Sequence, residues 1–340
     1  MSNEIEKKLV KSGYKRGSSG IYESGNSGYW SNLDKDENKK FIEGLNNATP
    51  LEAVREFIPN QENQIFSEKR EAALELLDID SDSVCIDYGC MWGVLSVGMA
   101  KRGATVVAID QTQESLEFLN SRKKHENFNS IYIVQDDIRQ VELKEVANIA
   151  IVNGVLEWVP EFGDVELKKF FGKKMNRDYP TLNPRVVQLE FLRRVKDNLK
   201  DEGNLLVSIE NRFDYTQFIG KKDPHVDLFF TSFLPRFLSN TISKVFLKRP
   251  YRNYIYSFKA LKKLILEAGY KEVDLYMVFP HYHMPELILP YESGIGLYSK
   301  YYSIRGASLK RKIVWTIEYI LMKYLKGKFF SSSIIAIAKK

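Results

Sequence analysis

Cysteine is almost missing from this chain: 340 residues contain two, Cys85 and Cys90. They flank the end of one apolar run, too close together and oppositely disposed for a disulfide. That excludes a disulfide-stapled scaffold and leads us to expect a reducing, cytoplasmic setting. Histidine is also scarce, with four residues, and no Cys/His cluster has zinc-ligand spacing, so no metal is expected. No apolar run is long enough to span a bilayer. Met1 to Tyr14 is charged and has no apolar core, so no secretory leader is expected. Neither charge dominates: 50 Lys and Arg against 44 Asp and Glu give a formal net charge of +6. That balance permits acidic substrates, an anionic membrane surface or nucleic acid and selects none of them. Internal repeats and low-complexity segments are absent too. The remaining composition, 44% hydrophobic and 28% charged, is that of a globular protein with one large domain or two small ones.

The chemistry concentrates first in Val84-Cys-Ile-Asp-Tyr-Gly-Cys-Met-Trp-Gly93. Val84 to Ile86 is short, apolar and β-branched, as a buried parallel strand requires. Asp87 ends it, and Gly89 and Gly93 let the backbone turn sharply into a helix over about Val94 to Arg102. Thr105 to Ile109 is a second strand ending in Asp110, 23 positions after Asp87. An acid about 20 residues beyond a glycine turn can accept hydrogen bonds from ribose hydroxyls. The turn lacks the middle glycine and the spacing of a dinucleotide fingerprint. Its strand-end acid suits the ammonium of an adenosyl amino acid better.

The same alternation continues. Strands are expected at 131–134, 149–152, 205–209, 273–279 and 332–338, with helices at 113–124, 184–199 and 257–268. Strands alternating with helices predict a doubly wound, mostly parallel α/β sheet with ligands at the carboxyl ends of its strands. Asp87, Asp110, Asp137, Asn153 and Glu210 all fall there.

These residues resemble the class I S-adenosylmethionine (SAM)-dependent methyltransferases. Asp87 to Gly93 is similar to that family's D-x-G-x-G-x-G motif, with Met91 replacing the middle glycine. Asn153-Gly-Val-Leu-Glu-Trp-Val-Pro160, Ile209-Glu-Asn-Arg212, Asp223-Pro-His225 and Phe279-Pro-His-Tyr-His-Met-Pro285 resemble methyltransferases associated with bacterial surface polysaccharides. The resemblance runs from about Tyr29 to Lys339. It implies a Rossmann-like core with seven strands, the last antiparallel, and SAM contacts from Asp87, Gly89, Cys90, Gly93, Asp110, Gln111, Asp137, Ile138, Asn153 and Gly154, with Asp136 the next candidate. Met91 must turn its side chain away from the cofactor or reshape the pocket. His281 stands where the subfamily motif has an acid.

Residues 1–60 are read as an N-terminal arm and cap helices, 61–212 as the SAM-binding core and 213–256 as a cap insertion. Residues 257–340 complete the core around a further insertion at 280–331. The arm looks flexible, yet carries Tyr22, Tyr29 and Trp30. Transfer to a hydroxyl needs a base. His225 is the leading candidate because imidazole titrates near neutrality, with Glu157 second. Trp158, Glu210, Asn211 and Arg212 are the candidate substrate contacts. His281 and His283 are read as polar contacts without a metal. Residues 309–330 form a basic amphipathic helix suited to the sheet or to an anionic membrane.

The expected activity is O-methylation of a sugar hydroxyl in a surface glycan or its precursor, in the cytoplasm or at the inner membrane face, with no nucleic-acid partner. An RNA methyltransferase and a non-catalytic module of the same fold are the alternatives. Oligomeric state is not legible in the sequence.

Overall fold

A computed structural model describes residues 2–24, 35–161, 183–298, 309–324 and 327–340. The arm aromatics Tyr29 and Trp30 lie outside them. The chain divides into two units. The first comprises Met1–Asn153, Arg193–Leu206 and Lys339–Lys340; the second comprises Gly154–Leu192 and Val207–Ala338.

The first unit is organised by parallel strands whose residues are buried on both faces. Its strands are β1 Lys15–Arg16, β2 Tyr22–Glu23, β3 Val84–Tyr88, β4 Thr105–Asp110, β5 Ile131–Gln135 and β6 Ala147–Asn153. They lie in the order β1-β2-β5-β4-β3-β6. β3 pairs parallel with β4 and β6, β4 with β5, and β5 with β2. All five residues of β3 are buried, which explains its unbroken apolar character. Helices Val94–Lys101 and Gln113–His125 make the crossovers.

Where it is described, the arm is structured. Ser2–Lys11 is a helix, and β1 pairs antiparallel with β2 to extend the sheet beyond β5. Ile5 and Leu9, one turn apart, are buried together with Tyr14, Ile21 and Tyr22. Asp136 binds the arm from both oxygens: Tyr14 Oη donates to Oδ2 and Ser24 Oγ to Oδ1, each at 2.7 Å. These bonds and the strand pairing recruit a segment whose composition alone reads as a tail.

Helices Lys35–Leu45, Pro50–Phe57 and Glu62–Phe66 follow. Thr49 caps the second through a reciprocal box with Glu52. Phe41, Leu45, Ala53, Val54, Ile58 and Ile65 form an apolar cluster with Trp92 and Phe118.

The remaining strands follow in the order β7-β10-β8-β9, with β7 Leu199–Glu210, β8 Glu272–Phe279, β9 Leu287–Pro290 and β10 Ser333–Lys339; β8 and β9 lie wholly in the second unit, while β7 and β10 each have residues in both. β8 and β9 form an antiparallel edge pair. Among the described residues the strands number ten, against the expected seven. The additions are β1 and β2, too short for a periodic signal, and β9, which lies inside the 280–331 segment read as an insertion. Helices Pro184–Asn198 and Phe258–Glu267 match the expected ones. Helix Leu309–Lys323 exposes Ile313, Ile317 and Ile320, while Glu318 is buried between the hydroxyls of Tyr215 and Tyr298. Among the described residues no helix is long and apolar enough to cross a membrane.

Gly93 is dictated twice over. Its φ is +71°, and a Cβ built there would lie 2.3 Å from Leu119 Cδ1. Gly93→Ala combines left-handed strain with overpacking and should destabilise the first unit by about 2–4 kcal/mol. Urea unfolding monitored by circular dichroism checks this, and an unchanged midpoint would refute it.

Candidate functional site

In the first unit the glycine turn is tied to the end of β4 by successive backbone donors. Gly89 and Cys90 N–H both donate to Ile109 O, at 2.8 and 3.0 Å. Met91 N–H donates to Asp110 Oδ2 at 2.8 Å, and Thr112 N–H to Oδ1 at 2.9 Å. Gly89, Met91 and Gly93 all have positive φ, of 70°, 48° and 71°. Met91 thus occupies a conformation that glycine adopts freely and that a side chain resists by roughly 1–2 kcal/mol. Its thioether chain packs against the apolar cluster around Phe41 and Trp92. Burial there offsets the strain and turns the side chain into the protein.

Asp87 is buried and accepts a 2.6 Å hydrogen bond from Ser96 Oγ. Burial pushes its carboxyl up to about 6; the Ser96 bond opposes this and the charge of Asp110 adds to it. A cation beside it would restore the ionised form. Cys90 is buried, with its thiol pushed well above the usual range by desolvation. Gln111 is buried, and its carbonyl accepts from Gln135 Nε2 at 3.3 Å. The Asp137 carboxylate is matched by Arg139, with Nε 2.9 Å from Oδ1 and Nη2 2.6 Å from Oδ2, in a fully buried pair. It also caps the short turn at Ile138, which is buried as well. Asn153, half-buried, closes β6.

The second unit begins at Gly154, whose φ is +68° and whose N–H donates to Ser208 O. A Cβ there would lie 2.4 Å from Tyr282 Oη. Nearby, the ends of three segments bring Glu157, Glu210 and His225 together. His225 Nε2 lies 3.7 Å from Glu210 Oε2 and 3.9 Å from Glu157 Oε1. On the ring's other side, Asp223 Oδ1 is 3.0 Å from Nδ1 and also accepts the His225 backbone N–H at 2.9 Å. Asp223 Oδ2 is held by Tyr251 Oη at 2.9 Å and Thr231 Oγ1 at 3.1 Å. Tyr282 Oη donates to Glu210 Oε1 at 3.3 Å. Trp158 is 40% exposed, so it is not a core residue, and its ring centroid is 5.1 Å from that of His225.

Burial works against charge on His225, but the Asp223 hydrogen bond, Glu157 and Glu210 overcome it and raise the imidazole to about 10. Burial, then repulsion by Glu157, push Glu210 up to about 7, with His225 opposing. The free imidazole expected of a base is therefore replaced, near neutrality, by a protonated ring held among carboxylates, with Glu210 as the group that changes charge.

Two expected substrate contacts have other partners. Asn211 is buried, and its Nδ2 donates to Phe329 O at 2.6 Å and Ser331 O at 2.7 Å. Arg212 donates to Ser232 O at 2.9 Å and Leu234 O at 2.8 Å. Returning loops leave carbonyls without strand partners, and these side chains satisfy them. His281 and His283 have ring centroids 5.9 Å apart, and His283 Nε2 is 4.0 Å from Glu210 Oε1. Asp223, Thr231, Tyr251 and Tyr282 join the cluster without being singled out by the sequence. The two-residue spacing of Asp223 and His225 was a usable signal, being that of an aspartate bonding its own backbone two residues on. The three hydroxyl donors carried none.

Residues 79–224 match a family described as a methyltransferase domain. No curated protein matches the chain. Among solved structures, a "possible exported protein" of Bordetella parapertussis is 11% identical, with 100% of this chain and 94% of that one covered and a TM-score of 0.45. The phosphoethanolamine N-methyltransferase 2 of Haemonchus contortus is 11% identical, with 88% and 60% covered and a TM-score of 0.46. A SAM-dependent methyltransferase of Thermotoga maritima is 12% identical, with 89% and 99% covered and a TM-score of 0.42.

A raised histidine contributes stability that is complete below its unfolded value near 6.5 and disappears as pH rises through about 10. Asp223→Asn should lower the His225 midpoint measured by imidazole NMR. The pH-dependent loss of stability above 6.5 should then shrink. An unmoved midpoint would show that Asp223 does not hold the ring's charge.

Proposed function

We propose that this chain is a SAM-dependent methyltransferase that methylates a hydroxyl of a sugar in a surface glycan or its precursor. The observation that carries the reading is the Asp110-anchored turn within the methyltransferase-domain match. Three positive-φ residues shape that turn, and the one non-glycine among them, Met91, directs its side chain into the apolar cluster. The residues fit the cofactor chemically. A carboxylate has about four lone-pair sites, and Asp110 uses two on backbone donors, so acceptor capacity remains for ribose hydroxyls. Asp87 is a buried carboxylate that an ammonium group would complement.

When bound, SAM supplies an electrophilic methyl group on a sulfonium, transferred in line to the acceptor oxygen. The chain's own contribution is alignment and proton removal. Glu210, raised to about 7, accepts the hydroxyl proton near neutrality. His225 stays positively charged beside it, positioned by Asp223, and stabilises Glu210 in its ionised state. The half-exposed face of Trp158 suits the apolar face of a pyranose, which supports a sugar acceptor.

Titration calorimetry tests the cofactor. SAM should bind with Kd on the order of micromolar to submillimolar, the usual range for enzyme substrates. Asp110→Ala should weaken it at least tenfold, and Asp110→Asn should do so with the fold retained. Met91→Gly should change it less than about threefold, because the side chain faces away. Absence of both binding heat and thermal shift with the unaltered protein refutes the methyltransferase reading. With a sugar acceptor, Glu210→Gln should reduce turnover by about 100-fold or more while SAM affinity holds.

A further inference from the structure

We infer that Glu157, Glu210 and His225 form a binding site for one divalent transition-metal ion. Among the described residues these three side chains place one potential ligand atom each within 4.8 Å of one another. The His225 Nε2 separations, 3.7 and 3.9 Å, exceed hydrogen-bond length. Two ligand atoms about 2.1 Å from a shared tetrahedral ion stand about 3.4 Å apart, so the two histidine separations need shorten by only a few tenths of an ångström, and the two carboxylates adjust by side-chain rotation.

A second, independent observation points to a ligand. Glu157 is fully buried, yet neither of its carboxylate oxygens has a hydrogen-bond partner, and Glu210 Oε2 also lacks one. Unmatched buried carboxylate oxygens are expensive unless something cationic binds them. The outer support is of the kind metal-binding histidines have. Asp223 engages Nδ1 and the backbone N–H, and Tyr251 and Thr231 fix Asp223, so Nε2 is aimed at the two glutamates. Two carboxylates and one imidazole suit Mn²⁺ or Zn²⁺ better than all-oxygen Ca²⁺ or Mg²⁺ sites.

The proposed site departs from the expectation of no metal, which followed from local spacing alone: these ligands come from three separate segments. Its catalytic use rests on the proposed methyl transfer. Coordination by Nε2 would release the His225 proton to water, so the ion would replace the imidazolium charge; a coordinated acceptor hydroxyl would also lose its proton to water more readily, in place of proton acceptance by Glu210.

The test uses the full chain, stripped with chelator and titrated with MnCl₂, with free Mn²⁺ read by electron paramagnetic resonance and ZnCl₂ as competitor. One equivalent should bind, and Zn²⁺ should displace it. Glu157→Gln should weaken binding at least tenfold. Glu210→Gln, at the least buried of the three positions, should do the same and guards against a folding defect in the first variant. Binding of neither ion at millimolar concentration, or binding that both variants leave unchanged, overturns the site. SAM calorimetry on the metal-free protein separates the two readings. SAM binding without metal binding removes the metal alone, and metal binding without SAM binding removes the methyltransferase alone.

Discussion

Buried negative charge needs a partner, and around His225 that requirement organises much of the second unit. Glu157 and Asp223 are fully or almost fully buried, and Glu210 is mostly so. A lone ionised carboxylate in such surroundings would cost several kcal/mol or give up its charge. The imidazole hydrogen-bonds Asp223 and lies within ionic reach of Glu210 and Glu157, at 3.7 and 3.9 Å, without hydrogen-bonding either. Tyr251 and Thr231 then satisfy the remaining oxygen of Asp223, and Tyr282 reaches Glu210. Around the cluster, Asn211 and Arg212 donate to carbonyls of the loops at Phe329 and Ser232. The loops matter because they carry or brace the histidine, the aspartate and the tyrosines. Stable charge and ordered loops are one arrangement seen from two sides.

The first unit answers a different constraint. A turn that must keep its backbone N–H groups in place needs acceptors, and β4 provides them through Ile109 O and Asp110. Asp110 also bonds Thr112 N–H, so one carboxylate closes the turn and fixes the start of the next helix. Met91 is accommodated because helices Lys35–Leu45 and Pro50–Phe57 supply an apolar surface beside it. The N-terminal helices and the turn therefore depend on one another. A methionine at a glycine position is acceptable only where a neighbouring cluster buries it.

Much of this was legible in advance. β3, β4, β5 and β6 are continuous apolar runs ending in polar residues, and helix Phe258–Glu267 follows a clear amphipathic period closed by Gly269. Such patterns report burial directly, since a strand covered on both faces has nowhere to put a charge. β1, β2 and β9 were not legible. Two to four residues hold no period, and their place in the sheet depends on what the neighbouring edge offers. The partners of Asn211 and Arg212 are not legible for a related reason: a polar run at a strand end can face a ligand or a loop, and local sequence does not distinguish them.

The amino-acid sequence by itself determined the alternating α/β organisation, the glycine turn and the acid that faces it, because these depend on residues close together in the chain. It also marked Glu157, Glu210 and His225 as chemically capable residues. Only the tertiary structure decided that those three meet, that Asp223 and Tyr251 stand behind the histidine, and that Met91 points into a core. Distances between segments remote in sequence are set by packing and by the pairing of buried charge, and no local pattern encodes them.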